Sequence, residues 1–350
     1  MRQERILMKP FIALSPLVFT LFVCSIIFLS PVTAAEDGLM RQWLKERAMQ
    51  REQDKSDLHA SADINAQITK PGDYTFTIQY DGLARMYRVH VPLKYNSSIP
   101  TPLLFALHGG GGSMDYMADD SHYGLITASE RNGFIVVFPN GYSKLKSGKF
   151  ATWNAGNCCG GARDENINDV GFIRQVVNNV TRQMHIDPNR VYATGMSNGG
   201  MMSYRLACEM SDVFKAIASV AGTDNTRSCT PRNPVSILHI HARNDTHVLF
   251  TGGAGEKAVE KSKITDFTSV ADTVSKWVRL NGCATTPRQV LEKTGAYCEV
   301  YSQCPGDAQV QLCVTETGAH SWPGAKKTRG EPASQAISAN DIMWDFFNHH

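Results

Sequence analysis

An α/β fold, with a mostly parallel central sheet and helices on both faces, is predicted by three features of the chain. Apolar runs of strand length alternate with amphipathic segments of helix length. Two of those runs, PLLFALHG and GFIVVFPNG, are continuous enough to be buried on both faces. A third, RVYAT, leaves through GMSNGG, where two glycines stand tightly around one serine. A serine in that setting is either an ordinary glycine turn or a sharp strand-to-helix elbow that lifts the hydroxyl above the sheet edge.

Taken in order, YTFTIQY and RMYRVHVP predict opening strands, and PLLFALHG and GFIVVFPNG predict central ones separated by a helix-length segment. NDVGFIRQVVNNVTRQMHI spaces Val170, Ile173, Val177, Val180 and Met184 along one helical face. It feeds a strand at Arg190 to Thr194, bounded upstream by the breaker DPN, and NGGMMSYRLACEM then continues as a helix. FKAIASVAG and VSILHIHA read as further strands, TSVADTVSKWVRLNG as a helix, YCEVYSQC and VQLCVTE as a hairpin, and ANDIMWDFFNHH as a last helix.

The 350 residues carry a formal charge of +2, which excludes the basic stripe of a nucleic-acid binder. Residues 1–35 read as an export signal: MRQERILMK is basic, a long apolar run follows, and Val32, Ala34 and Ala35 offer small-residue cleavage sites. The alternatives are a retained membrane anchor, which the length of the run allows, and a lipid on Cys24. Without that leader no segment is apolar enough to span a bilayer. Residues 36–70 are charged and poor in aromatics, a polar lead-in, and residues 71–350 are expected to form a single catalytic domain.

Beyond the leader stand eight cysteines, Cys158, Cys159, Cys208, Cys229, Cys283, Cys298, Cys304 and Cys313. An even count behind an export signal predicts disulfides and a secreted or periplasmic protein. Cys283 is expected to pair with Cys304 and Cys298 with Cys313. Cys158 and Cys159 are expected to bond to other cysteines, because neighbours close a ring far from ordinary disulfide geometry.

A serine hydroxyl needs a base to take its proton, and the base needs a third group to orient it. After Ser197 the partners emerge in the order acid, histidine: Asp245 in HIHARNDTHV at the end of an apolar strand, and His320 in the loop GAHSWPG. Upstream, LLFALHGGGGSMD ends a strand in His108 and four glycines, whose backbone N–H groups can approach a developing oxyanion closely. The donors are assigned to Gly110 and Asn198, with Gly111 as the reserve for Gly110. No Lys-Ser/Thr follows, which excludes a P-loop. Together these parts predict a serine hydrolase on an α/β-hydrolase fold, with no cofactor and no metal. His239 and His241 alternate on one strand face as a metal pair would, but no third ligand stands at a recognisable spacing. Asp169 opens a helix and reads as a cap or dipole partner. Trp153 and Trp322, in loops, are taken as candidates for the acyl pocket, the alternative being that they cover the core.

The combination LHGGGGS, WNAGNCCG, NDVGFIRQVV, DPNRVYATGMSNGGMMSYRLACE and GAHSWPG resembles the poly(3-hydroxybutyrate) depolymerase family, which also includes feruloyl and acetylxylan esterase-like members. The resemblance covers most of the chain after the leader. It implies an esterase with Ser197 as nucleophile, Asp245 as orienting acid and His320 as base, acting on a polyester oligomer or, alternatively, on feruloyl or acetyl esters of plant cell walls. No separate polymer-binding domain follows the last helix, so attack on crystalline polymer is not expected. A non-catalytic extracellular binding protein on the same scaffold is the reading of a different class, and a serine peptidase on the same fold is a third.

Overall fold

In a computed structural model, described for residues 63–256, 267–326 and 331–350, ten strands form one sheet in the order β1-β2-β4-β3-β5-β6-β7-β10-β9-β8. The expected leader over 1–35, with Cys24, and most of the lead-in over 36–70 lie outside the described residues.

The chain enters through β1 (Gly72–Tyr80) and β2 (Leu83–Val91), an antiparallel pair at one edge. Strand β3 (Thr101–Leu107) is buried along its whole length. Its alternate side chains serve two cores: Leu103, Phe105 and Leu107 face one, Leu104 and Ala106 the other. Three short helices follow, α1 (Met114–Ala118), α2 (Asp120–Tyr123) and α3 (Leu125–Asn132), before β4 (Ile135–Pro139). Next come α4 (Gly160–Asp164), α5 (Asp169–Gln183), β5 (Ile186–Met196), α6 (Asn198–Glu209), β6 (Ala216–Val220), β7 (Ser236–Ala242) and α7 (Val270–Leu280). Strands β8 (Arg288–Lys293), β9 (Ala296–Tyr301) and β10 (Val310–Thr315) and helix α8 (Ala339–Asn348) complete the fold.

From β4 through β3, β5, β6 and β7 to β10 every pairing is parallel. Parallel strands need covering on both faces. On one side α5, α6 and α7 press Phe172, Ile173, Met202, Tyr204, Val274 and Trp277 onto the sheet. On the other, the helices after β3 and α8 supply Met114, Leu125, Met343, Trp344 and Phe347.

Two elements differ from their sequence reading. Strand β5 starts at Ile186 and runs through Pro188, where the breaker DPN predicts a boundary, because a register shift against β3 between Thr101 and Leu103 absorbs the residues that cannot pair. The edge strand β8, RQVLEK, is exposed at all but one position and shows no apolar alternation to announce it.

Cys283 is bonded to Cys304 and Cys298 to Cys313, the second bridge linking residues directly opposite in β9 and β10. Cys208 is bonded to Cys229. The expectation for Cys158 and Cys159 is corrected: they are bonded to each other. The six other cysteines among the described residues are bonded in pairs, Cys208 and Cys229 with Cα atoms 5.1 Å apart, and leave the neighbours no other partner among those residues.

Candidate active site

Four loops meet above the carboxyl ends of β3, β5, β7 and β10, the edge of a parallel sheet at which ligands bind. At the end of β5 the chain turns through Ser197, whose φ of 56° lies in the left-handed region, and enters α6 at once. A non-glycine residue held there is strained. The surrounding glycines have a steric reason. A Cβ on Gly195 would strike the backbone of Gly199, and one on Gly199 would strike the carbonyl oxygens of Leu107 and His108. The turn is therefore closed only by side-chain-free residues on both sides of the serine.

The glycine loop after β3 packs against this elbow. Gly111 N–H donates to Ala151 O at 2.8 Å and Gly112 N–H to Gly109 O at 3.0 Å, so the reserve donor Gly111 is already committed. Gly110 sits beside Asn198, its Cβ position 3.6 Å from the Asn198 Cβ. The Asn198 N–H belongs to the first turn of α6, where backbone donors have no intrahelical acceptor. Both residues border the same cleft as Ser197. Buried His108 pins the loop: its Nε2 accepts from Gly141 N–H at 2.9 Å, which places the ring proton on Nδ1, donating to Gly109 O at 2.8 Å.

Burial pushes the His108 pKa down to about 4 from its ordinary 6.5. Below pH 6.5 the unfolded chain therefore takes up a proton that the folded one refuses. The stability this group supports is complete above 6.5 and is lost as the pH falls toward 4, by about 3 kcal/mol in all. Urea unfolding across that window should show a decline that is shallower in His108→Gln, and an equal decline in both proteins would contradict this account of His108.

Asp245, in the loop after β7, is 3 % exposed. Its Oδ1 accepts from the N–H groups of His247 at 2.8 Å and Val248 at 3.0 Å, and its Oδ2 lies 2.8 Å from His320 Nδ1. Burial by itself would raise the carboxyl pKa, but hydrogen bonds from His241 and His320 outweigh it and hold the group well below the usual carboxylate range. His320, in the loop after β10, borders the cleft with Ser197. His247 stacks on the His320 ring with centroids 4.6 Å apart, a neighbour that nothing in the sequence singles out. Asp245, His247 and His320 also bring metal-ligating atoms within 4.8 Å of one another, though Asp245 and His320 are already engaged with each other.

The cleft is about 900 Å³ and open, with Tyr116, Tyr123, Phe150 and Phe267 on its walls. Neither Trp153 nor Trp322 is among the described residues that border it. Trp153 is fully buried: its indole N–H donates to His108 O at 2.9 Å, and its backbone N–H donates to Asn198 Oδ1 at 2.8 Å. It braces the glycine loop against the elbow from beneath. Trp322 donates to Asn340 Oδ1 at 3.1 Å and meets the Tyr123 ring edge-on, so it supports the cleft wall from behind. Loop position alone does not show which way an indole turns, and both find their N–H acceptors inside the protein.

Asp169, also fully buried, is bound to Arg85 Nη2 at 2.6 Å and accepts from Asn154 N–H at 2.8 Å, while the cap of α5 is Asn168. It is a structural ion pair away from the cleft. Asp169→Asn strands a buried guanidinium, so unfolding free energy should fall by about 3 to 5 kcal/mol, with kcat of the folded fraction retained. A stable variant with impaired turnover would reverse that assignment.

A family model described as Esterase PHB depolymerase matches residues 88–255, a span that contains the glycine loop, Ser197 and Asp245 and ends before His320. The “Probable feruloyl esterase C” of Aspergillus oryzae is 33% identical over 271 residues, covering 75% of this chain and 83% of that protein. The chain belongs to the PHB depolymerase family of esterases. Feruloyl esterase B of Piromyces equi is 30% identical over 238 residues, 67% of this chain, but this family member spans only 42% of that protein's length. Among solved structures, the acetyl xylan esterase from Aspergillus awamori has a TM-score of 0.53 over 79% of this chain and 99% of its own, at 14% identity, and shares the fold. The family's esterases are carboxylic ester hydrolases.

Proposed function

We propose that this esterase works through an acyl-enzyme on Ser197. His320, neutral, takes the Ser197 proton as the hydroxyl oxygen attacks the ester carbonyl; the N–H groups of Gly110 and Asn198 receive the oxyanion; and His320 returns the proton to the leaving alcohol. Water then repeats the sequence on the acyl-enzyme and releases the acid. Asp245 holds the ring with Nδ1–H toward itself and stabilises the imidazolium that forms. The observation that carries this reading is the convergence of Ser197, His320, Gly110 and Asn198 on one cleft, with Asp245 at 2.8 Å behind the histidine.

Three substrate readings stand: hydroxybutyrate oligomers, acetyl esters of plant cell walls and phenolic acyl esters. The aromatic walls Tyr116, Tyr123, Phe150 and Phe267 favour the last, since a planar cinnamoyl-type group gains both area and ring contacts there. The relatives named feruloyl esterases support the same choice. A panel of methyl ferulate, a hydroxybutyrate trimer and acetylated xylan should give the highest kcat/KM on methyl ferulate. Preference for the trimer would return the protein to polyester cleavage, and no turnover of any ester, activated p-nitrophenyl esters included, would leave a binding protein.

The basic-then-apolar leader and the four disulfides support export to an oxidising compartment. Among the described residues no helix is long and apolar enough to cross a membrane.

A further inference from the structure

Behind Asp245, on the side away from the cleft, three buried polar side chains form a continuous chain. Tyr204 lies two turns into α6, the helix that begins at the nucleophile, and its hydroxyl is 2.8 Å from His239 Nδ1. His239 Nε2 is 3.1 Å from His241 Nδ1, the two rings sharing one face of β7. His241 Nε2 is 2.9 Å from Val248 O and 3.3 Å from Asp245 Oδ2. All three residues are at most 1 % exposed.

The direction of every proton follows from the last link. A carbonyl and a carboxylate accept only, so His241 Nε2 carries a hydrogen. With one proton on each ring, His241 Nδ1 is an acceptor and His239 Nε2–H donates to it. His239 Nδ1 is then an acceptor in turn, and Tyr204 O–H donates to it. Burial, which pushes His239 well below its ordinary pKa, keeps that ring neutral. The chain therefore runs one way, from the elbow helix to the loop of the acid: His241 Nε2–H donates to Val248 O, and the same nitrogen lies 3.3 Å from Asp245 Oδ2. Val248 N–H in turn donates to Asp245 Oδ1 beside His247 N–H, so the chain reaches the carboxylate through the backbone that holds it. The facing nitrogens of His239 and His241 are hydrogen-bonded to each other.

We propose that Tyr204, His239 and His241 are positioning residues that lock Asp245 to the helix carrying Ser197, so that acid and nucleophile keep one register through turnover. This rests on the serine mechanism proposed above. A core that merely satisfies its own polar atoms would contribute to stability, whereas a positioning chain contributes to kcat.

Histidine ¹⁵N spectra of the intact protein test the geometry first: His239 and His241 should both be neutral Nε2–H tautomers, and an Nδ1–H tautomer at either, or an imidazolium at His241, would overturn the proposal. His241→Leu, which removes the donor, should lower kcat by about 10- to 100-fold with KM within about twofold. His241→Gln, which can return an N–H to the same place, should recover most of that loss. Tyr204→Phe should lower kcat by less, and its effect should be smaller still in the His241→Leu background, since the two act through one chain. Full kcat in folded His241→Leu, or no recovery in His241→Gln, would sink the proposal. Activity that survives in Ser197→Ala would instead overturn the serine mechanism beneath it, so the two failures are distinguishable.

Discussion

Ser197→Ala should lower kcat for an activated ester by about a million-fold and leave the unfolding transition where it is. The size follows from the triad acting as a unit: without the hydroxyl, His320 has no proton to take and Asp245 no imidazolium to stabilise, and what remains is the contribution of the oxyanion donors and of binding. Stability is spared because the hydroxyl fills no cavity, and alanine meets the left-handed φ of 56° no worse than serine does. Steady-state kinetics beside thermal unfolding check both halves. Turnover within about a hundred-fold of the parent would place the nucleophile elsewhere.

Asp245→Asn should cost about ten-thousand-fold in kcat. An asparagine has one acceptor oxygen where the carboxylate has two, yet the site aims His247 N–H and Val248 N–H at one oxygen and His320 at the other. If the carbonyl takes the backbone pair, the amide NH₂ faces His320 Nδ1 and forces the tautomer that places its remaining proton on the catalytic nitrogen. If it turns the other way, two backbone donors meet an NH₂. Comparison with Asp169→Asn separates chemistry from architecture, because the second variant should lose stability and keep its turnover. The reverse result would make Asp169 the acid.

The parts of this site that were legible in the sequence are those fixed by backbone shape. Ser197 between Gly195 and Gly199, the glycine run after β3, and an acid and a histidine in loops after later strands are all consequences of chain path, which spacing encodes. The parts that depend on which way a side chain turns were not legible. Trp153 and Trp322 read as pocket walls but are braces beneath and behind it. The alternation of His239 and His241 reveals a shared strand face but not what lies across from it, here Tyr204 and Asp245. His247 carried no signal, since its stacking on His320 depends on a loop conformation that no local pattern specifies. In the fold, the buried strands announced themselves by composition, whereas β8 did not, because an exposed edge strand places no demand on apolar residues.

The central claim, an acyl-enzyme on Ser197, is tested most directly by acid-quenching the enzyme milliseconds after mixing with excess p-nitrophenyl ester and mapping the acyl group by peptide mass spectrometry. The account predicts an adduct on the peptide containing Ser197, with the mass of the acyl group, that decays on chase at the rate of turnover and is absent in Ser197→Ala. An adduct on another residue, or turnover with no covalent adduct even where deacylation is rate-limiting, would contradict it.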